Sequence, residues 1–257
     1  MLLSPVGGQN LAVRGVGLSY GQNTRVLDSI SFGVDDARIV AVMGPNGCGK
    51  TTLLRVIGGL ISPERGSVTL EPSGQPPRRV GFVFQDVSAS LFPWLSVLDN
   101  IALPLAVDGM GKQDRRAVAS KLAGELCPNL PTQRFPYELS VGQQQLAAFL
   151  RAMIRQPELY LLDEPFSAFD FRNRQLMMRE FLRIWRAQPR PTVVVTHTVD
   201  EAVFIADAVI VLGGTPAGVE GVVETQLPRP RTDQLLQSSA FAEARLEVMR
   251  LLGAEPA

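Results

Sequence analysis

The sequence predicts an α/β fold with an antiparallel β layer near its N-terminus and an α-helical subdomain inserted later in the chain. Three observations support this prediction. Short β-branched runs recur along the chain, a glycine-rich loop joins one of them to a helical segment, and the pattern turns helical between about 86 and 156. With 257 residues, of which 46% are hydrophobic, the chain is long enough for one large domain with a substantial core.

The β layer is expected first, because residues 11–34 alternate loosely between apolar and polar side chains and contain glycine-rich turns. Residues 38–43 are almost continuously apolar, which is typical of a strand buried on both faces of a sheet. Residues 50–57, beyond the glycine loop, have helical spacing. Further short strands are predicted at residues 67–70, 79–84, 159–162, 192–196 and 209–212.

Helical patterns occupy the middle and the end of the chain. In the middle they cover residues 97–105, 113–126 and 142–154. A Pro-Arg-Pro-Arg connector follows Leu227 and leads to an amphipathic helix from about 232 to 252. We therefore predict a single domain over residues 1–257, divided into a sheet core at 11–85 and 157–227, a helical subdomain at 86–156, and a C-terminal connector and helix at 228–257.

Composition excludes several classes of protein. Lys and Arg together number 25, as do Asp and Glu, so the chain has no net positive charge with which to bind a nucleic-acid backbone. Cys48 and Cys127 lie far apart, which favours a reduced cytosolic protein without a zinc site or a disulfide framework. The first ten residues lack the pattern of a secretory signal, and no apolar run approaches the ~20 residues that span a bilayer. If the protein acts at a membrane, we expect it to dock there.

A phosphate-binding loop is the strongest chemical signal. Gly44-Pro-Asn-Gly-Cys-Gly-Lys-Thr51 matches GxxxxGK[ST] in full, between a predicted strand and a predicted helix. Glycines let successive backbone N–H groups turn inward around a phosphate, and the helix N-terminus adds a partial positive charge. Lys50 is expected to reach the β- and γ-phosphates, and the Thr51 hydroxyl to bind Mg²⁺. The motif predicts a P-loop nucleoside triphosphatase (RecA-like) core.

A pair of carboxylates supplies the second half of this chemistry. Asp163 and Glu164 end an apolar strand, so Asp163 can hold Mg²⁺ through water while Glu164 faces the position of an attacking water. An Asn-Lys-x-Asp guanine reader is absent from the sequence, which argues against a GTPase. Consecutive Asp-Glu is also unusual for a small-molecule kinase.

The segment Leu139-Ser-Val-Gly-Gln143 resembles the LSGGQ signature of ABC ATPases. Other marks of that family appear in the expected order along the chain: Gln85 after a strand, Ser167-Ala-Phe-Asp170 after Glu164, and Thr196-His197 after another strand. The resemblance runs from about residue 11 to 231 and implies Mg²⁺-dependent hydrolysis of ATP.

The resemblance also implies a role for each motif. Glu164 would activate or orient water, His197 would contact the γ-phosphate or position Glu164, and Gln85 would sense the γ-phosphate and the metal. The implied catalytic residues are Glu164, His197, Gln85 and Lys50, and the implied metal ligands are Thr51, Gln85 and Asp163. The implied nucleotide-binding residues, headed by an adenine-stacking tyrosine, are Tyr20, Gly44, Pro45, Asn46, Gly47, Cys48, Gly49, Lys50, Thr51, Thr52, Ser140, Gly142, Gln143 and Asp170.

In ABC ATPases two such domains pack head to tail, so Ser140 and Gly142 of one copy would complete the γ-phosphate site of the other. The implied partners are integral membrane permease subunits, a second copy or a homologous ATPase, and indirectly an extracytoplasmic solute-binding protein, with no nucleic acid. The implied location is peripheral, on the cytoplasmic face of the inner (plasma) membrane. Phe92 and Trp94 are candidate anchors for the permease, although they could equally fill the subdomain core.

Several alternatives stay open. Val141 replaces the first glycine of the signature and Leu146 a common basic residue, so the chain could be a weakened subunit of an asymmetric transporter or a noncatalytic scaffold. A soluble ABC ATPase acting on nucleic acid or ribosomes is disfavoured, because the chain has one ATPase half and no basic stripe. Cys48 lies inside the phosphate loop, so alkylation could block ATP binding, or the side chain could be inert.

Only three short sequence segments indicate which solute is transported. Phe92-Pro-Trp94, Phe135-Pro-Tyr-Glu-Leu-Ser140 and residues 227–231 resemble the nitrate/sulfonate/taurine importer branch, which moves small anions. Another small solute remains an alternative, because the solute contacts other subunits.

Overall fold

The computed structural model describes residues 10–21 and 24–253. Most of the segment considered above for a secretory signal, residues 1–9, lies outside the described residues, as do the last four residues of the predicted domain. In the described ranges, no helix combines the length and the apolar character needed to cross a membrane. The predicted fold class is confirmed, with an antiparallel sheet, a largely parallel sheet and helices around them.

The strands of the described ranges are β1 (Asn10–Tyr20), β2 (Thr24–Val34), β3 (Ile39–Met43), β4 (Arg65–Glu71), β5 (Val80–Val83), β6 (Leu159–Asp163), β7 (Thr192–Val195), β8 (Ala208–Gly213) and β9 (Gly218–Glu224). The α-helices are α1 (Lys50–Ile57), α2 (Val87–Ser90), α3 (Val97–Ala102), α4 (Lys112–Leu126), α5 (Val141–Met153), α6 (Phe171–Trp185), α7 (Val199–Ile205) and α8 (Ser239–Leu251).

The smaller sheet has the order β2-β1-β4, with β1 antiparallel to both neighbours. The larger sheet has the order β5-β6-β7-β3-β8-β9 and is parallel except for β9, which runs antiparallel to β8. Every residue of β3, β6 and β7 is buried, which explains why these strands are continuously apolar in sequence. Because parallel strands end at the same edge, the segments that follow β3, β5, β6 and β7 meet there.

Two apolar clusters hold these layers together. One lies between the two sheets and includes Leu27, Ile30 and Leu54. The other lies on the opposite face of the large sheet and joins it to the helices, with Phe149, Phe166 and Phe181 in mutual contact. The helices α2 to α5 lie between β5 and β6 in the chain, in the region predicted to be helical. The exact division into subdomains stays a prediction.

Two of the predicted helices have different bounds in the structure. The helix predicted at 97–105 ends at Ala102 and continues as a 3-10 turn, Leu103–Ala106, because Pro104 has no N–H for the α-helical ladder. The C-terminal helix predicted from about 232 begins only at Ser239. Ser238 is extended there, and its hydroxyl accepts a hydrogen bond from the Phe241 N–H, which caps the helix.

Candidate active site

The phosphate-binding loop lies between β3 and α1, as predicted, and two of its glycines are sterically required. Gly44 has φ 153°, and a Cβ there would lie 2.6 Å from the Leu212 carbonyl oxygen. Gly49 has φ 105° and caps α1, and a Cβ there would lie 2.7 Å from a methyl group of Val26. A side chain at Gly44 would press on the β8 backbone, one at Gly49 would press on β2 side chains, and both φ values are rare for L-residues, so the loop geometry depends on glycine.

Lys50 opens α1 and is buried beneath the loop. Its Nζ donates to the carbonyl oxygens of Gly44 at 2.9 Å and Pro45 at 2.8 Å. A buried ammonium is tolerated only where hydrogen bonds replace its water, and these two carbonyls do so. The charge is thereby held inside the loop, where it can attract a phosphate group.

Thr51 and Asp163 are brought together from α1 and the end of β6. The Thr51 hydroxyl donates to Asp163 Oδ1 at 3.2 Å, and Asp163 is only 4% exposed. Burial raises the pKa of Asp163 above its ordinary value, against the opposing effect of the Thr51 hydrogen bond. A hydroxyl and a carboxylate are oxygen ligands of the kind Mg²⁺ prefers, so these two residues fit the predicted metal site. Gln85, the third predicted ligand, donates a hydrogen bond to Glu164 through its amide nitrogen.

Three of the predicted catalytic side chains meet at one carboxylate oxygen. Gln85 Nε2 donates to Glu164 Oε2 at 3.3 Å, and His197 Nδ1 lies 3.1 Å from the same oxygen. The Glu164 backbone is left-handed, with φ 45°, and its N–H donates to the Val195 carbonyl at 2.9 Å. The arrangement orients a largely buried carboxylate between an amide and a half-exposed imidazole, which suits a group that must align water.

The signature segment forms the start of α5. The Ser140 hydroxyl accepts from the Gln143 N–H at 3.3 Å, while the Gln143 side chain accepts from the Ser140 N–H at 3.1 Å. This reciprocal capping fixes the helix terminus without help from other elements. Val141 is 50% exposed and has no left-handed backbone, so valine causes no strain within the chain. Leu146, in place of a basic residue, packs against the core.

The remaining predicted nucleotide-binding residues lie at exposed or half-buried positions. Tyr20 ends β1 with a half-exposed ring, and Cys48 is half-buried in the phosphate loop. Asp170 caps α6 and accepts from the Asn173 N–H at 3.0 Å and its side-chain amide at 2.7 Å. These hydrogen bonds hold the pKa of Asp170 below its ordinary value.

A groove lies beside Gln85. It has a volume of about 420 Å³ and is lined chiefly by apolar side chains, including Phe82, Phe84 and Phe92, together with Arg79, Arg151 and Arg155. Trp94 is 70% exposed and its ring lies 5.3 Å from that of Phe92, so this pair does not fill the subdomain core. Exposed aromatic rings beside a groove are typical of a protein interface.

Sequence reasoning missed two polar residues near the site, Arg174 on α6 and Glu201 on α7. Their charged groups lie 3.1 Å apart, and Glu201 is 2% exposed. Only the fold brings α6 and α7 together, so the sequence carried no signal for this pair beyond its proximity to Asp170 and His197.

Comparison with known proteins places these features in context. A family model described as ABC transporter matches residues 27–167. An uncharacterized ABC transporter ATP-binding protein of Methanocaldococcus jannaschii is 38% identical over 235 residues, covering 90% of this chain and 86% of the relative. The aliphatic sulfonates import ATP-binding protein SsuB of Bacillus cereus is 33% identical, with coverage of 93% and 94%. The taurine import ATP-binding protein TauB of Pseudomonas aeruginosa is 37% identical, with coverage of 81% of each chain.

A solved structure also resembles the chain. The dimeric structure of a post-hydrolysis state of the ATP-binding cassette MJ0796, bound to ADP and Pi, superposes with a TM-score of 0.69 and 28% identity. The match covers 83% of this chain and 98% of that cassette.

Proposed function

Because this chain belongs to the ABC transporter family, as an ATP-hydrolysing ATP-binding subunit, we propose that it energises a membrane importer of small anions. Sulfonates, taurine and nitrate are the favoured solutes. The names of relatives at 33% and 37% identity support sulfonates and taurine. The sequence segments around Phe92, Tyr137 and the Pro-Arg-Pro-Arg connector support the nitrate/sulfonate/taurine importer branch.

The convergence of Gln85 and His197 on one oxygen of Glu164 is the observation that carries the hydrolytic part. In this mechanism the Glu164 carboxylate orients a water molecule for in-line attack on the γ-phosphorus of ATP. The bond from that phosphorus to the β,γ-bridging oxygen breaks, and ADP and phosphate leave. Lys50 stabilises the negative charge that develops on the phosphate oxygens.

Thr51 and Asp163 would hold the magnesium ion, directly or through water. When bound, Mg²⁺ supplies positive charge beside the β- and γ-phosphate oxygens. Gln85 donates to Glu164 through its amide nitrogen, so its amide oxygen would be the atom that joins these ligands. A glutamine that contacts both groups would sense whether nucleotide and metal are present.

A second copy of the chain, or a homologous ATPase, would complete each site. Ser140 and Gly142 stand at the exposed start of α5, where the backbone N–H groups of a helix terminus favour an anion. The similar cassette MJ0796 is dimeric in its solved structure, which supports this assembly. The role of Asp170 would be to couple the two sites across the interface.

The groove beside Gln85 is the proposed docking site for the permease. Its aromatic and aliphatic side chains offer apolar contact, and the exposed Arg79 offers charge to a complementary acidic side chain. Arg151 is bonded to Ser90 and Arg155 is paired with Asp108. Contact there would place the chain peripherally on the cytoplasmic face of the membrane. A solute-binding protein would act on the other side and reach this chain only through the permease.

The test is purification of the tagged full-length chain from its native membranes in mild detergent. We expect an integral membrane protein to co-purify, and ATP hydrolysis by the complex to rise when a solute-binding protein loaded with taurine, an alkanesulfonate or nitrate is added. The matched control is the Lys50→Ala complex, which should assemble but hydrolyse no ATP. Absence of any membrane partner would overturn the transporter role, and stimulation only by an unrelated solute would overturn the small-anion assignment.

A further inference from the structure

We propose that Arg174 and Glu201 are positioning residues that hold His197 against Glu164 and tie it to the Asp170 loop. This inference rests on the proposed hydrolytic role of Glu164 and His197. Neither Arg174 nor Glu201 touches the phosphate loop in the contacts described above, so both would act through their neighbours.

Glu201 fixes the backbone on both sides of His197. Its Oε2 accepts a hydrogen bond from the Thr196 hydroxyl, and that hydroxyl accepts from the Thr198 N–H at 3.1 Å. Thr196 and Glu201 are 1% and 2% exposed, so water does not compete for these bonds. Burial raises the pKa of Glu201, while the Thr196 hydroxyl and the Arg174 charge lower it.

Arg174 connects this carboxylate to the loop that contains Asp170. Its Nε lies 3.1 Å from Glu201 Oε1, and its Nη2 donates to the Phe169 carbonyl at 2.9 Å. The contact with Glu201 is an ion pair without hydrogen-bond alignment, so the planar guanidinium combines charge attraction to Glu201 with a directed hydrogen bond to Phe169. A lysine ammonium is a point charge and would keep the attraction to Glu201 while losing the second contact.

The result is a path from the Asp170 loop to Glu164 that consists of polar contacts and the backbone bond between Thr196 and His197. It passes through Arg174, Glu201 and Thr196 to His197, whose Nδ1 lies 3.1 Å from Glu164 Oε2. Such contacts fix orientation, and a displacement of about 1 Å in a reacting geometry can cost about 10²-fold in rate. A second copy of the chain bearing on Asp170 would therefore influence the position of His197.

The test uses the full-length chain and exploits the fact that His197 is its only histidine. The imidazole signals in an NMR spectrum consequently belong to one residue without further assignment. The variants are Arg174→Gln and Glu201→Gln, with Arg174→Lys as the conservative change. The matched control is Glu180→Gln, which removes an exposed ion pair with Arg183 on the same helix.

We expect Arg174→Gln and Glu201→Gln to lower kcat about 10–100-fold while KM for ATP stays within about twofold. The double variant should be no worse than either single one, because both remove the same contact path. Arg174→Lys should recover part of the loss. In nucleotide-free protein, the His197 signals should move in both glutamine variants and stay unchanged in Glu180→Gln.

This role is overturned if the glutamine variants keep the kcat of the unsubstituted chain, or if kcat falls only together with thermal stability while the His197 signals stay in place. Should Glu201→Gln fail to fold, Arg174→Gln and Arg174→Lys decide the question alone, because Arg174 is less deeply buried. Failure of the proposed function looks different. The unsubstituted chain would then release no phosphate, whereas the His197 signals would still report on the contact path.

Discussion

The phosphate loop and the signature segment are built in opposite ways. Lys50 and Asp163, beside the loop, are 6% and 4% exposed; Lys50 is bonded to two carbonyl oxygens of the loop, and Asp163 to Thr51 of a distant element. Ser140, at the signature, is bonded to Gln143 of its own helical turn, and its neighbours Tyr137 and Val141 are 71% and 50% exposed. Folding of the chain therefore completes the phosphate-loop half of the site. The signature half is a capped helix terminus that is exposed and can contact another surface.

This contrast teaches where folding and function can be separated. A change beside the phosphate loop alters buried contacts, so stability and turnover are expected to change together. A change at the exposed start of α5 removes no core contact, so it is expected to affect turnover alone. The following experiments either strengthen or break this distinction.

Replacing Glu164 with glutamine should have the largest effect. Glutamine keeps the size of the side chain but cannot act as a base, so turnover should fall about 10²–10⁴-fold while ATP affinity is retained. Phosphate release and nucleotide affinity, measured on the purified variant, check this expectation. Near-normal phosphate release would rule out the proposed role of Glu164.

Gly142→Asp should lower turnover about 10²-fold without loss of stability, because the added carboxylate repels phosphate yet suits a helix N-terminus. A Cβ at Gly142 meets its nearest heavy atom, Met177 Sδ, at 3.5 Å, which is ordinary contact. The measurements are phosphate release and the thermal midpoint. A fall in the midpoint would show that the signature segment is not independent of the core.

A mixture of the Gly142→Asp and Lys50→Ala proteins tests whether each site is shared between two copies of the chain. If each site uses the loop of one copy and the signature of the other, mixed dimers contain one intact site, and a 1:1 mixture should regain about a quarter of the original turnover. No recovery in a mixture that demonstrably exchanges subunits would contradict a shared site.

Alkylation should distinguish the two cysteines. Burial raises the pKa of Cys127 to about 11, so at pH 8 this thiol stays protonated as well as inaccessible. We expect only the half-buried Cys48 to be labelled in the folded protein and ATP affinity to fall at least about tenfold, since the label occupies the phosphate loop. Mass spectrometry locates the label. Undiminished affinity after full labelling would make Cys48 an inert side chain.

Val141→Gly should have the smallest effect. Restoring the usual glycine is expected to raise turnover about two- to threefold and to cost about 0.5 kcal/mol of stability, from lower helix propensity. Steady-state kinetics and denaturant unfolding measure both changes. Unchanged turnover would show that valine is neutral at this exposed position.

The phosphate-loop half was also the easier half to predict from sequence. Glycines, Lys50 and a buried strand that ends in Asp163 form a local pattern, and the structure brings the corresponding groups together. The α6 helix was missed although Asp170 and the apolar spacing of Met177 and Phe181 gave a usable signal.

Other elements gave no local signal. The α7 helix is too short for its period to be read, and β9 has exposed valines and two glycines, so it becomes a strand chiefly because β8 offers an edge. Contacts between distant segments, such as that of Arg174 with Glu201, follow only from the packing of α6 against α7.

The left-handed backbone conformation of Glu164 costs folding stability at a position where catalysis needs a carboxylate. A glutamate with φ 45° costs roughly 1 kcal/mol relative to glycine, which adopts this conformation freely. A library screened for heat tolerance alone should therefore drift toward glycine or asparagine at this position. The selected variants would be thermostable proteins that bind the nucleotide but do not hydrolyse it.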